Sequence, residues 1–420
     1  MNKQGKDKGF FVPSEKLINR NIMVLIIGWI IWSPFFDAVR YYEQYYMEAL
    51  GASFLIIGMI YGVSQFILGI VRIPGGYIAD RYGRKRIIVV MTFIISLSYL
   101  LYALAPMLPP PRWIWVFIGA IISNAALIYQ PALNAIMADS ITPKKRGIGY
   151  SLLMFLPHIS SIPVYALAAY FAYRYGFLVV TQALYFAIVI GGLIAGFLRW
   201  RYLEETLPLR REISENNGIF SHYRDAFSVI YKRLLPLLIV LTLFSLSMGA
   251  STYFSLYAVY MLRLEREFWE VVGLTSTIAM LLVMIPVGML IDRIGRKNMI
   301  FVSSVMLTLA YVMFLSLRPG HFMLRVLVIL SISLFAIFNT MFMTASRALE
   351  ADLAPREYRG RISAIMNLIF TISMSISVFI YGYLFQYVSM RLPLMVSAAS
   401  VLIAALISAI VLKEPTKREL

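Results

Sequence analysis

The chain contains no cysteine, and only three of its 420 residues are histidine. Disulfide frameworks, thiolate zinc sites and cysteine nucleophiles are therefore excluded. His158, His222 and His321 stand far apart and no HExxH occurs, so neither a metal nor an organic cofactor is expected. There is no GxxxxGK[ST] loop, which argues against nucleotide-driven work by this chain. Charge is scarce too: 14% of residues are ionisable at neutral pH, against about 25% in soluble domains. The first 20 residues are polar and basic with no apolar core ending at a small-residue cleavage site, so no cleaved signal peptide is expected.

What the chain has instead is apolar length. Hydrophobic residues make up 60% of it and lie in long blocks. About 20 such residues cross a bilayer as a helix. Twelve candidates lie at roughly 21–46, 54–74, 87–106, 113–137, 148–173, 177–198, 234–261, 271–291, 298–317, 322–346, 362–387 and 392–412. The expected fold class is an all-α polytopic membrane protein.

The net charge of +17 would suggest nucleic acid in a soluble protein. Here 29 of the 38 Lys and Arg residues fall in the two termini and in alternate loops. That asymmetry is the positive-inside pattern, which places both termini in the cytoplasm and leaves lipid, not nucleic acid, as the partner of the basic residues. The expected location is the cell membrane, multi-pass, with a monomer as the unit.

A charged phrase is written twice. "PGGYIADRYGRK" (Pro74 to Lys85) and "PVGMLIDRIGRK" (Pro286 to Lys297) agree at seven of twelve positions, 212 residues apart. Each lies between apolar runs. "ADSITPKKRG" from Ala138 likewise answers "ADLAPREYRG" from Ala351, and "LEET" from Leu203 answers "KEPT" from Lys413. Duplication explains all three. The implied organisation is an N-terminal segment 1–20, a six-helix bundle 21–198, a linker 199–232, a second bundle 233–412 and a tail 413–420. Such parallel repeats are a transporter plan.

In the repeated phrase Gly76 and Gly288 are read as points of close helix approach, and Gly83 and Gly295 as turns needing positive φ. Asp80 and Asp292, at the membrane edge, need a cation, for which Arg84 and Arg296 are placed four residues on. On these residues, with Arg81, Lys85, Arg293 and Lys297, the chain resembles the major facilitator superfamily from about 20 to 415. The resemblance implies a twelve-helix fold of two bundles related by a pseudo-two-fold axis. It also implies a further partner at the end of span 4 or span 10, where Asp139 and Asp352 stand. Two triads follow, Asp80–Arg84–Asp139 and Asp292–Arg296–Asp352, read as a latch that holds the cytoplasmic side shut and parts when that side opens.

Span 1, "NIMVLIIGWIIWSPFFDAVRYYEQYY", carries Asp37, Arg40 and Glu43. Each central charge costs roughly 2.5–3.5 kcal/mol to insert. At about 100° per residue Trp29, Ser33, Asp37, Arg40 and Gln44 share a face, with Glu43 beside it. That stripe must meet a wet cavity or another helix. Asp37 and Arg40 form either a static pair or a proton-dependent switch. His158 in span 5 is a titratable group or an interhelical hydrogen bonder. Asn124, Tyr253, Tyr257, Asn339 and Asn367 are further candidate lining groups. Arg72 is read as reaching the nearby surface.

The reading is a secondary transporter, not an enzyme, moving a small molecule by alternating access with the proton as coupling ion. The pattern resembles the drug–proton antiporter branch, implying export of a lipophilic or cationic compound. Span 5 departs from that branch, with "LPHISSIP" in place of a Gly-Pro-Gly-Gly pattern. Symport uptake of a sugar, carboxylate or other metabolite is the second reading, and a transport-inactive sensor the third.

Overall fold

The computed structural model describes residues 19–141, 146–206, 227–355 and 358–414; the side chains of Asp80 and Asp292 lie outside that description, as does most of the 199–232 linker. The described residues form helices and no strand. In chain order they are α1 (Arg20–Ala49), α2 (Phe54–Tyr82), α3 (Arg84–Leu104), α4 (Trp113–Ser140), α5 (Arg146–Tyr175) and α6 (Phe177–Tyr202). The second half supplies α7 (Phe227–Tyr260), α8 (Phe268–Ile294), α9 (Arg296–Ser316), α10 (Leu324–Leu353), α11 (Arg359–Tyr387) and α12 (Leu392–Ile410). Eleven are long and apolar enough to cross a membrane, and α8 contributes a shorter apolar stretch, Phe268–Met284. Helices suit this setting because they satisfy their backbone internally.

Two of them are interrupted for identifiable reasons. In α4 a 3-10 turn at Leu127–Tyr129 precedes Pro131, whose missing N–H cannot continue the ladder. In α7 a 3-10 segment at Gly249–Tyr253 separates two α-helical stretches. By contrast α5 runs unbroken through Pro157 and Pro163.

Packing repeats between the halves. In the first, α1 packs on α5 and α6, α3 on α4 and α6, and α2 on α4. In the second, α7 packs on α11 and α12, α9 on α10 and α12, and α8 on α10. Adding six to each label of the first set gives the second. The halves meet through α2 on α11 and α5 on α8, which the same operation exchanges.

That seam is tight at the end remote from the termini. A Cβ at Gly58 of α2 would lie 2.9 Å from the Val378 carbonyl oxygen and 3.1 Å from Gly382. Tyr45 donates to the Ser255 carbonyl at 2.6 Å, Leu55 N–H to Gln386 at 3.0 Å, and Ser375 to the Gly62 carbonyl at 2.6 Å. Arg266 reaches Glu48 at 3.2 Å and lies over the rings of Tyr45 and Phe177. The molecule is thus shut on this far side, and a cavity separates the halves toward the terminal side.

The repeated phrase forms the α2–α3 and α8–α9 corners. Gly83 and Gly295 have φ of 90° and 94°, so positive φ is required at both. Gly76 and Gly288 do not make the close approaches expected of them. A Cβ at Gly76 would meet only Pro131, at 4.0 Å, and one at Gly288 nothing. The tight contact falls one residue earlier, at Gly75 against the Ile128 carbonyl, because the 3-10 turn of α4 turns that carbonyl toward α2. Gly295→Ala should therefore cost roughly 1–3 kcal/mol, read as a lower thermal midpoint in detergent, whereas Gly288→Ala, in open space within a helix, should not lower the midpoint.

Candidate functional site

At the terminal ends the charges of the repeated phrase are paired within each half. Arg84 at the start of α3 meets Asp139 of α4 at 2.5 Å and also donates to Thr206. Arg296 at the start of α9 meets Asp352 of α10 at 3.0 Å. A carboxylate after each sixth helix then sits on the exposed N–H groups of the third. Glu205 accepts from Lys85 N–H at 2.9 Å, and Glu414 from the N–H groups of Arg296 and Lys297, both at 2.8 Å. An anion there opposes the positive end of the helix dipole. Arg81 contacts Tyr77 and Tyr82, and Arg293 is exposed. The latch reading has the Arg–Asp pairs parted when the terminal side opens. Here both pairs are made with that side open, each inside one half, where it braces its bundle. The Asp80 and Asp292 arms of the triads lie outside the described residues.

Within the first half α1, α2, α3, α4 and α6 enclose a cavity of about 370 Å³, within the range of small-molecule sites. Trp32, Phe36, Tyr61, Tyr99, Tyr102 and Tyr129 supply an aromatic wall. Arg40 and Glu43 project into it from α1, and Asn124 from α4. Tyr61 donates to Glu43 at 2.5 Å. Asn124 spends its amide N–H on the Ala120 carbonyl at 2.9 Å, leaving its oxygen for other partners. Arg40 is solvent-accessible in mid-helix because it faces this cavity.

Beside it Asp37 points toward α5. It accepts from Ser161 at 2.7 Å, and His158 Nδ1 stands 3.4 Å from the same oxygen. The Asp37 side chain is 14% exposed and that of His158 38%. The two residues read separately in the sequence are one cluster, three residues from Arg40 along α1. Ser33 Oγ and the Gln44 side-chain oxygen are buried without a hydrogen-bond partner.

A second cavity of about 540 Å³ lies between the halves. Arg72 and Gln130 line it on one side, and Arg347, Glu350, Arg359 and Asn367 on the other. Arg72 does not reach the surface as expected; it donates to Gln130 at 2.9 Å across the α2–α4 contact, which keeps it in the cavity wall. Glu350 accepts from Ser363. Tyr253, Tyr257 and Asn339 line neither cavity. Both tyrosines are fully buried, and Tyr253 donates to the Val378 carbonyl at 3.0 Å in the seam. The Asn339 side-chain oxygen is buried and unpartnered.

Sequence reasoning missed Arg199. It was assigned to the linker, but α6 continues to Tyr202 and buries it, 1% exposed, against the first cavity. It donates to Thr92 at 2.6 Å, and its Nε and second terminal nitrogen are buried without a hydrogen-bond partner among the described residues. A lone arginine beyond an apolar run looks like a topology signal; only the length of the helix reveals otherwise. Among the described residues no cluster of three metal-ligating side chains occurs.

A family model for the Major Facilitator Superfamily matches residues 21–276 and 269–420. The chain is 25% identical over 397 residues to a Na(+), Li(+), K(+)/H(+) antiporter of Planococcus maritimus, covering 86% of this chain and 88% of the relative. It is 28% identical over 353 residues to multidrug resistance protein MdtH of Sodalis glossinidius, covering 82% and 79%. Among solved structures it superposes on the nucleoside transporter NupG with a TM-score of 0.72 at 14% identity, over 94% of this chain and 100% of that one. A POT family transporter in complex with 5-aminolevulinic acid gives 0.73 at 13% identity, over 95% and 97%. At such identities these structures speak for the fold alone.

The bracing pairs generate a double-mutant test. Arg84→Ala and Asp139→Asn should couple by about 1–3 kcal/mol in thermal stability. Arg84→Ala and Asp352→Asn, in different halves, should be additive within about 0.5 kcal/mol.

Proposed function

Because the chain belongs to the major facilitator superfamily, a transporter of small molecules, we propose that it is a proton-coupled antiporter that exports lipophilic or cationic compounds. The observation that carries this reading is Glu43, a carboxylate aimed into an aromatic-walled cavity in the middle of the first bundle. An ionised Glu43 attracts a cation, which the aromatic faces also favour, each by about 0.5–2 kcal/mol. A protonated Glu43 does not. Proton and cation then compete for one group, the elementary requirement of antiport. Asp37 lies three residues from Arg40 on α1, and His158 beside it carries a ring with a hydrogen-bonding nitrogen on each side, a route for a proton between Asp37 and the space beyond.

The terminal side, which carries most of the basic residues, faces the cytoplasm in this reading, so the conformation described is the one that loads substrate from within. Alternation would proceed by parting the far-side seam and closing the inter-half cavity. Antiporter and multidrug relatives support the class, at identities that do not identify the cargo.

A specific observation favours a second reading. Arg40 and Arg199 share the first cavity, and Arg199 has unused donors. A guanidinium with free N–H groups suits a carboxylate, as symport of an organic acid would require.

Reconstitution in liposomes with an imposed pH gradient decides between them, using lipophilic cations, alkali cations, sugars and carboxylates. Proton efflux driven by lipophilic cations and abolished in Glu43→Gln is expected. Asp37→Asn should slow the same flux without abolishing it. Carboxylate uptake lost in Arg199→Gln, with no response to cations, would replace the first reading by the second.

A further inference from the structure

Glu270 lies in the first turn of α8, wholly buried, and neither of its carboxylate oxygens has a hydrogen-bond partner. None of the residues put forward for substrate or proton binding includes it. The groups around it account for its isolation. From α1 Tyr41 and Tyr42 face it, and from α5 Tyr165. The Tyr42 hydroxyl is buried without a partner, and that of Tyr165 stands 3.5 Å from Thr277. Asp37 and Arg40 stand near Tyr41 and Tyr165 from the cavity side. Glu267, one turn earlier, adds a like charge near Tyr42. The neighbouring cations are engaged elsewhere: Arg266 with Glu48, and Arg325 of α10 with Glu265 at 2.6 Å and over the Phe268 ring. Among the described residues no Lys or Arg pairs with Glu270. An ionised carboxylate is heavily penalised in such a place, and a carboxylic acid much less so.

The position matters as much as the burial. One turn further along α8, a Cβ at Gly273 would come within 2.7 Å of the Tyr41 ring, so helix and ring are in direct contact. The same face continues to Thr277 against Tyr165. These contacts join α8 of the second half to α1 and α5 of the first, on the side that is shut. When that side opens, this face has to part, and water reaches Glu270.

We propose that Glu270 is a proton-binding site of the far-side seam. It holds a proton while α8 is pressed against α1 and α5, and releases it when they separate. Low proton concentration on that side then favours opening, and high concentration favours closure. The step is a simple exchange: the carboxylic O–H gives its proton to water, and the carboxylate left behind is hydrated in the opened cleft. The inference needs only that the halves part on this side, and it holds whichever cargo the first cavity takes.

The chain has no cysteine, so paired labels can be introduced directly. Tyr173→Cys and Phe322→Cys place them on strongly exposed far-side positions, one in each half, 86% and 90% exposed. Spin-label distances in the full chain, in lipid nanodiscs without substrate, are expected to lengthen as pH rises. Glu270→Gln, isosteric with the protonated acid, should hold the short distance at every pH, and Glu267→Gln should respond as the wild type does. A wild type without a pH response, or a Glu270→Gln variant that keeps it, overturns the proposal. Should the Gln variant not fold, Glu270→Asp retains a titrating group in altered surroundings; its transition must move along the pH axis, and an unmoved transition overturns the proposal equally. No gradient or cargo enters this measurement, so its outcome is separate from the flux assay that judges Glu43.

Discussion

The contact on which the architecture depends is the approach of α2 to α11 at Gly58 and Gly382. With no side chain at either position, two backbones and the Tyr253 hydroxyl occupy one small volume. Close backbone approach is the principal source of helix association where lipid offers no hydrophobic drive. It pins the halves together at one end and leaves the other end free to diverge around a cavity. The hydrogen bonds and the Arg266–Glu48 pair named at the seam gather at the pinned end. At the divergent end the Arg84–Asp139 and Arg296–Asp352 pairs each lie within one half, so separation there breaks neither.

The class of fold was legible because two signals are hard to imitate. Long apolar runs report spans by length alone, and a charged phrase repeated at half the chain length reports duplication. The structure repeats its helix pairings accordingly. The placement of Asp37, Arg40 and Glu43 off lipid was legible for the same reason, since lipid forbids the alternative. What each residue touches was not. Asp37 turned to Ser161 and His158 on α5 while Glu43, two turns on, entered a different environment under Tyr61; the helical period places both near one stripe and says nothing about neighbours. The glycine register failed at Gly76 because the decisive event, a 3-10 turn before Pro131, belongs to another helix. Arg199 and Glu270 were missed at the edges of apolar runs, where hydropathy places a boundary a few residues inside the true end of the helix.

Two kinds of buried charge coexist in this chain. One kind is paired and structural: Arg84 with Asp139 and Arg296 with Asp352, each within its own bundle. The other is under-satisfied. Arg199 has one partner, Glu270 none, and Glu43 a single tyrosine donor among the bonds described. Unpaired charge is costly to retain, and a moving protein has reason to retain it, since only a group with unused capacity can respond when a ligand, a proton or water arrives.

The ties at the end of α6 carry one further consequence. Glu204 bonds Arg20 at 2.8 Å and its backbone exchanges hydrogen bonds with Asn21, while Glu205 holds the start of α3. The polypeptide therefore leaves the first bundle from an anchored point, stitched to the beginnings of α1 and α3. A pull on the chain at Thr206 is therefore shared among the ends of α1, α3 and α6 and does not fall on one helix terminus alone.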